Sequence, residues 1–358
     1  MQYTESLVLS FFTSLVLSYM AIPVIIKVAE VKHLYDEPGG RKLHKSRVPT
    51  LGGLAIFSGL VFTLTFWTNF STCPHLQHVI AAMVVIIFIG LQDDILGLSP
   101  FKKLIGQVLA AAIVVVWGHI RITHMFGILG VSQLPEIVSI LFSIATIVLI
   151  INAINLIDGI NGLAASLSII AAFTLGIFFV QSEQNSQHAI ISFALAGALI
   201  SFLRFNLTPA RIFLGDTGSM LVGLVLSVLC FEFIIANEPS ALLPAKLKAA
   251  PVIAMAVIFI PLYDLFRVFS LRILKGKSPF YPDQNHLHHS LLRLGLSHIK
   301  ATLVLSLFSL VIIFTAFILR SLNVYLLGFI LLSFCLGFTY YLQYRVKKKG
   351  PVNINGKE

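Results

Sequence analysis

Apolar stretches of about 20 residues recur along almost the whole chain, and no other feature limits its fold so strongly. A run of that length crosses bilayer hydrocarbon as a helix, because every backbone polar group must be satisfied inside the segment. Barrel strands would instead alternate over about ten residues. Eleven windows stand out, near 6–28, 50–70, 77–92, 104–119, 136–152, 163–181, 188–204, 217–237, 249–270, 301–319 and 324–343. The third to fifth are short or carry polar interruptions, so ten spans is the alternative count. Composition agrees: 57% of residues are hydrophobic and 11% charged, where soluble domains average about a quarter charged. The expected fold is all-α, a polytopic helical bundle over residues 1–344 with a basic tail over 345–358.

The formal charge is +10, but the lysines and arginines lie between apolar spans rather than on one soluble face. They read as topology signals, not as a nucleic-acid footprint. With the N-terminus outside, 21 of the 25 fall on inner segments and only Arg121, Lys246, Lys248 and Arg320 outside. The expected orientation is therefore N-out and C-in, with a cytoplasmic tail. Residues 6–28 lack a charged n-region and a cleavage site, and read as a retained first span. Cys73, Cys230 and Cys335 are scattered without CxxC spacing, which argues against disulfides and thiolate metal sites. No internal repeat supports an inverted-repeat transporter.

Polar clusters concentrate in the inner segments near 29–49, 93–103, 153–162, 205–216 and 271–300. Asp93 and Asp94 end the third span. Solvated helix ends often carry Asp, yet carboxylates there oppose the macrodipole, so a metal, a general-base role or a cationic ligand explains the pair better. The fifth span runs into Asn152-Ala153-Ile154-Asn155-Leu156-Ile157-Asp158-Gly159-Ile160-Asn161-Gly162. A turn needs one or two such residues, not six, whereas a ligand site uses the amide and carboxylate oxygens and the close approach that glycine allows. In Phe213-Leu214-Gly215-Asp216-Thr217-Gly218-Ser219, Asp216 or Thr217 is expected to N-cap the eighth span. The same helix end suits phosphate. Phe213 is either a base-stacking ring or interfacial packing.

Asp264 and Arg267, three apart, read as a structural ion pair. His286, His288 and His289 resemble a zinc site only superficially, since Asp283 is the one other ligand nearby. Histidines facing phosphate fit a basic mouth better. In the first inner loop Arg41 and Arg47 offer bidentate phosphate contacts, Lys45 reads as a positive-inside anchor, and Gly52-Gly53 suggests close backbone approach. Together these groups supply carboxylate and amide oxygens for Mg²⁺ and cations for several phosphates. Phosphoryl transfer, with substrates from both cytoplasm and bilayer, is the reading from residues alone.

Taken in order, Arg41-Lys42-Leu43-His44, Leu51-Gly52-Gly53, Asp93-Asp94, Asn152 through Gly162, Phe213 through Ser219 and His286-Leu287-His288-His289 resemble the polyprenyl-phosphate N-acetylhexosamine-1-phosphate transferases. The resemblance covers about 35–295, and such co-linear motifs are specific together although each alone is weak. It implies transfer of a sugar 1-phosphate from a UDP-activated amino sugar to undecaprenyl phosphate, with release of UMP. On the matching positions it implies Asp216 and Asn155 at a Mg²⁺ (or Mn²⁺) ion, and Asp93, Asp94 and Asp158 as catalytic carboxylates. Lys103 would lie near the diphosphate. Arg41, His44, Arg47, Asn152, Gly159, Asn161, Phe213, His286, His288 and His289 would contact substrate.

Asn161 stands where the muramoyl-pentapeptide branch usually has aspartate. The first loop, the eleventh span and the tail Lys347-Lys348-Lys349 also resemble the teichoic-acid and common-antigen initiators. The implied sugar is thus N-acetylglucosamine, for O-antigen, teichoic-acid or common-antigen synthesis at the bacterial inner membrane, with homodimerisation a family tendency. The alternatives are a phospho-N-acetylmuramoyl-pentapeptide transferase and, in another class, a transporter or lipid flippase. The latter predicts ionisable residues in mid-span.

Overall fold

The structure, a computed structural model, describes residues 2–35, 48–181, 186–207, 209–239, 241, 246–278 and 285–349. Among these residues there are thirteen α-helices. They are α1 (Gln2–Val31), α2 (Gly52–Trp67), α3 (Leu76–Leu96), α4 (Pro100–Ala112), α5 (Glu136–Ile157), α6 (Leu163–Val180), α7 (Ser186–Asn206), α8 (Gly215–Ala236), α9 (Ala250–Val257), α10 (Phe259–Leu274), α11 (Leu287–Arg293), α12 (His298–Ile318) and α13 (Val324–Lys349). An isolated bridge pairs His124 with Gln133. The chain is thus the expected polytopic helical bundle. Nine described helical segments are long and apolar enough to cross a membrane, or ten if α9 and α10 form one span. The remaining expected window is α2, whose 16 residues reach about 24 Å, short of a full crossing.

Two expectations need correction. The ninth window, 249–270, is not one straight helix: α9 and α10 meet at an 85° bend around Ile258. Pro261 permits the bend. It has no N–H for the carbonyl four residues back, which favours a break there and suits the first turn of a new helix. The second concerns helix ends. α5 continues to Ile157, so Asn152 and Asn155 stand on its last turns rather than in a loop. Asp93 and Asp94 lie inside α3, and Lys103 in the first turn of α4.

α8 is the axis of the bundle, with 94% of its apolar window buried against 28% for α1 and α13. Lipid tails are as apolar as leucine, so helices associate in a membrane through close packing of small residues. That rule is visible here. A side chain at Gly53 would strike the backbone of Gly218, one at Gly90 the backbone of Thr217, and one at Gly223 that of Ile151. α2, α3 and α5 can therefore approach α8 closely. The outer helices α1, α12 and α13 expose Phe12, Met20, Val24, Phe314, Phe329 and Tyr340, as a lipid-facing surface requires. One buried pair escaped the sequence reading: Glu232, late in α8, lies 3.4 Å from His188 of α7. It sits about 24 Å along α8 from Asp216, at the opposite end from the polar clusters.

Candidate active site

The site is built on the first turn of α8. Neither Asp216 nor Thr217 caps this helix, contrary to expectation: it starts at Gly215 without a side-chain cap of its own. The cap comes from α3. Asp94 Oδ1 accepts the Asp216 backbone N–H at 2.8 Å, and Oδ2 accepts the Thr217 N–H at 3.0 Å and its hydroxyl at 2.6 Å. A carboxylate suits the positive end of a helix dipole, and this one ties α3 to α8. Gly215 has φ +72°, and a Cβ there would run into the Thr50 carbonyl and the Asp94 carboxylate. Only glycine meets both demands. The segment before α8 lies against the opening of α2, with Phe213 N–H bonded to Pro49 O (2.8 Å), Gly52 N–H to Phe213 O (3.0 Å) and Gly53 N–H to Leu214 O (3.1 Å). Gly52-Gly53 thus does give close backbone approach, to α8 and its leading segment.

Asp216 turns toward α4 and α5. Lys103 Nζ lies 2.6 Å from its Oδ1 and 3.0 Å from Asp93 Oδ2, so one ammonium bridges two carboxylates. Asp93 Oδ1 meanwhile accepts the Leu98 N–H at 2.7 Å. Asn155 donates from Nδ2 to Asp216 Oδ1 and to Ser219 Oγ. One turn earlier on α5, Asn152 donates to Gln107 Oε1 at 2.7 Å. Asp158 follows α5, accepts no hydrogen bond among the described residues, and faces Asp216 and Asp94. Burial, then repulsion from those two carboxylates, pushes its carboxyl up to about 7. Of these four carboxylates, Asp93 and Asp216 are the two that Lys103 contacts.

The histidine cluster closes the same end. His288 is buried, with both ring nitrogens unpartnered among the described residues, and its ring abuts Gly159, where any side chain would collide with it. Burial, then the neighbouring His289, holds its imidazole well below the usual value and hence uncharged at neutral pH. The His286 ring lies parallel to that of His288, 5.5 Å away, and the His289 ring is 4.3 Å from the His288 ring. Asn161 is buried, and its carbonyl accepts the Thr302 hydroxyl at 3.0 Å. Arg41, His44 and Arg47 lie outside the described residues. Of the other expected site residues, Asp93, Asp94, Lys103, Asn155, Asp158 and Asp216 form one polar cluster. Gly159 and His288 join it through the 158–162 turn, Asn152 lies just below it, and the Phe213 ring is half-buried at its edge.

Sequence reading missed the residues that hold this arrangement. Asn206, 4% exposed, accepts the Gly162 N–H at 2.6 Å and donates to Ile212 O at 2.9 Å, stapling the α5–α6 turn to the α7–α8 segment. Gln107, buried within α4, orients Asn152. Their one sequence signal was polarity within or beside apolar windows.

Hard oxygens from Asp216, Asp158 and the Asn155 amide match what Mg²⁺ takes, usually one or two carboxylates with phosphate and water completing the shell. Among the described residues no three His, Cys, Asp or Glu side chains converge into a ready-made metal cage. That agrees with Lys103 standing between Asp93 and Asp216. The donor set fits a metal that shares its shell with a ligand.

Residues 76–234, from the start of α3 almost to the end of α8, match the model of glycosyl transferase family 4. An undecaprenyl-phosphate alpha-N-acetylglucosaminyl 1-phosphate transferase of Pasteurella multocida is 33% identical over 96% of both chains. A decaprenyl-phosphate N-acetylglucosaminephosphotransferase of Mycobacterium tuberculosis is 33% identical over 85% of this chain and 80% of that protein. A probable undecaprenyl-phosphate N-acetylglucosaminyl 1-phosphate transferase of Bacillus subtilis is 30% identical over 91% and 88%. The chain belongs to this family of membrane-embedded polyprenyl-phosphate N-acetylhexosamine-1-phosphate transferases.

Proposed function

We propose that the protein transfers N-acetylglucosamine 1-phosphate from UDP-N-acetylglucosamine to undecaprenyl phosphate, releasing UMP and starting a lipid-linked surface polysaccharide. The observation that carries this reading is the acidic cluster at the foot of α8, where Lys103 bridges Asp93 and Asp216, Asp94 caps the helix, and Asp158 feels the charge of Asp216 and Asp94. Acidic groups gathered so closely need a cation, and a diphosphate needs one too. The relatives' names supply the acceptor class and the sugar.

In the proposed reaction an oxygen of the lipid phosphate attacks the sugar-bearing phosphorus in line. The bond from that phosphorus to the bridging oxygen breaks, and its electron pair leaves on UMP. Asp216, with Asp158 and the Asn155 amide oxygen, would hold Mg²⁺, which when bound supplies charge neutralisation to the diphosphate. Lys103 offers a second positive charge to the phosphates, and Asp94 fixes the helix end that carries Asp216. A general base is scarcely required, because a phosphate monoester is largely ionised near neutrality, its second pKa lying near about 6. The charge asymmetry of 21 against four supports a plasma-membrane protein whose site faces the cytoplasm, where UDP-sugars are made.

UMP release from UDP-N-acetylglucosamine and undecaprenyl phosphate, by purified protein with and without Mg²⁺, tests the reading. Activity is expected only with the metal, and Asp216→Ala should abolish it. Turnover of UDP-muramoyl-pentapeptide in its place would move the protein to the other branch, and no UMP from either donor would refute transfer altogether.

A further inference from the structure

Asp264 is 1% exposed on α10, and its pairing with Arg267 explains only part of its surroundings. Oδ1 accepts Arg267 Nη2 at 2.7 Å and the Leu287 backbone N–H at 3.1 Å, while Oδ2 lies 2.8 Å from His286 Nδ1. Arg267 also donates to the Asn285 carbonyl. A helix-surface ion pair would leave the second oxygen free. Here that oxygen takes a histidine 22 positions along the chain, and the first caps the helix on which the histidine cluster stands. Arg267, His288 and His289 are the other ionisable groups around the His286 ring, with His298 of α12 behind His288.

We propose that Asp264 is a positioning residue that grips His286 by Nδ1 and thereby presents Nε2 to a substrate phosphate. The physical basis is the two-sided imidazole: the partner at one nitrogen decides orientation and proton location at the other. The parallel stack of His286 on His288, which itself meets Gly159, links the grip to the turn bearing Asp158. This inference rests on the transferase reading. The phosphate belongs either to the nucleotide-sugar or to the lipid.

Asparagine copies the Nδ1 side of histidine and glutamine the Nε2 side, so the two replacements separate the roles. His286→Gln is expected to keep at least tenfold more kcat/KM than His286→Asn. A raised KM for UDP-N-acetylglucosamine, or instead for undecaprenyl phosphate, identifies whose phosphate is held. Asp264→Asn is expected to lose at least tenfold in kcat/KM, and to lose little more in the His286→Asn background, because coupled residues are non-additive. His286→Asn as active as wild type would overturn the proposal, since the Asp264 contact would then be the ring's whole purpose. Fully additive losses in the double variant would overturn it too. The His286 pair stands alone if Asp264→Asn does not fold. Wild type without transferase activity would instead sink the underlying function, so the two failures are distinct.

Discussion

Replacing Lys103 with methionine should tighten the binding of a bare divalent ion while weakening the reaction. Lys103 Nζ is 2.6 Å from Asp216 Oδ1 and 3.0 Å from Asp93 Oδ2, with its side chain only 17% exposed. Any ion that reaches Asp216 must therefore displace this ammonium or lie beside it. Two unit charges 4 Å apart interact by about 4 kcal/mol at an effective dielectric of 20, and a divalent ion doubles the repulsion. Relaxation of the lysine away from the metal recovers most of that energy. A residual of about 1.4 kcal/mol corresponds to tenfold tighter binding, taken as the minimum expected effect. Mn²⁺ titration of the purified protein, followed by electron paramagnetic resonance without nucleotide, reads this directly. UMP release should fall about 100-fold or more, because a cation facing the transition-state charge has gone. Weaker Mn²⁺ binding by Lys103→Met than by wild type would refute the reasoning, since it would make Lys103 a support of the metal site rather than its competitor.

Asp94→Asn removes the charge at the start of α8 and turns one of the two accepting oxygens into an NH2 donor, so stability should drop by about 1–3 kcal/mol, seen as a lower thermal midpoint in detergent. Asn206→Ala leaves the Gly162 N–H and the Ile212 carbonyl without their partner, at a cost of about 1–3 kcal/mol for each group that stays unsatisfied. Activity should fall with stability, because the turn carrying Asp158 comes loose. Asp158 has its carboxyl raised to about 7 from 3.8, so the folded protein binds this proton more tightly than the unfolded chain. That contribution is greatest at low pH and is lost as pH rises through the folded value. Without divalent metal, the thermal midpoint should therefore fall between pH 5.5 and about 7, and Asp158→Asn should flatten that slope; an equally steep slope in the variant would reject the assignment.

The membrane spans were legible because lipid imposes length and polarity one segment at a time. A helix crossing hydrocarbon satisfies its own backbone, so each window could be judged without its neighbours. The α9–α10 bend was missed for the opposite reason. Pro261 only permits a break, as Pro23 within the continuous helix α1 illustrates, and packing decides whether the break is used. The site's residue types were legible as polar groups placed where apolar helices end. Asp216, however, was read as capping its own helix, although a carboxylate 122 positions away does so.

From the sequence alone followed a polytopic helical membrane protein with phosphate chemistry gathered at one end of its helices, and a family whose motifs lie in order along it. Each of those conclusions depends on local composition or spacing. Only the tertiary structure decided which carboxylate caps α8, that Lys103 bridges Asp93 and Asp216, and that Asp264 holds His286. These are contacts between distant segments, and their geometry is set by how closely glycine-bearing helices pack around α8, which no single segment encodes.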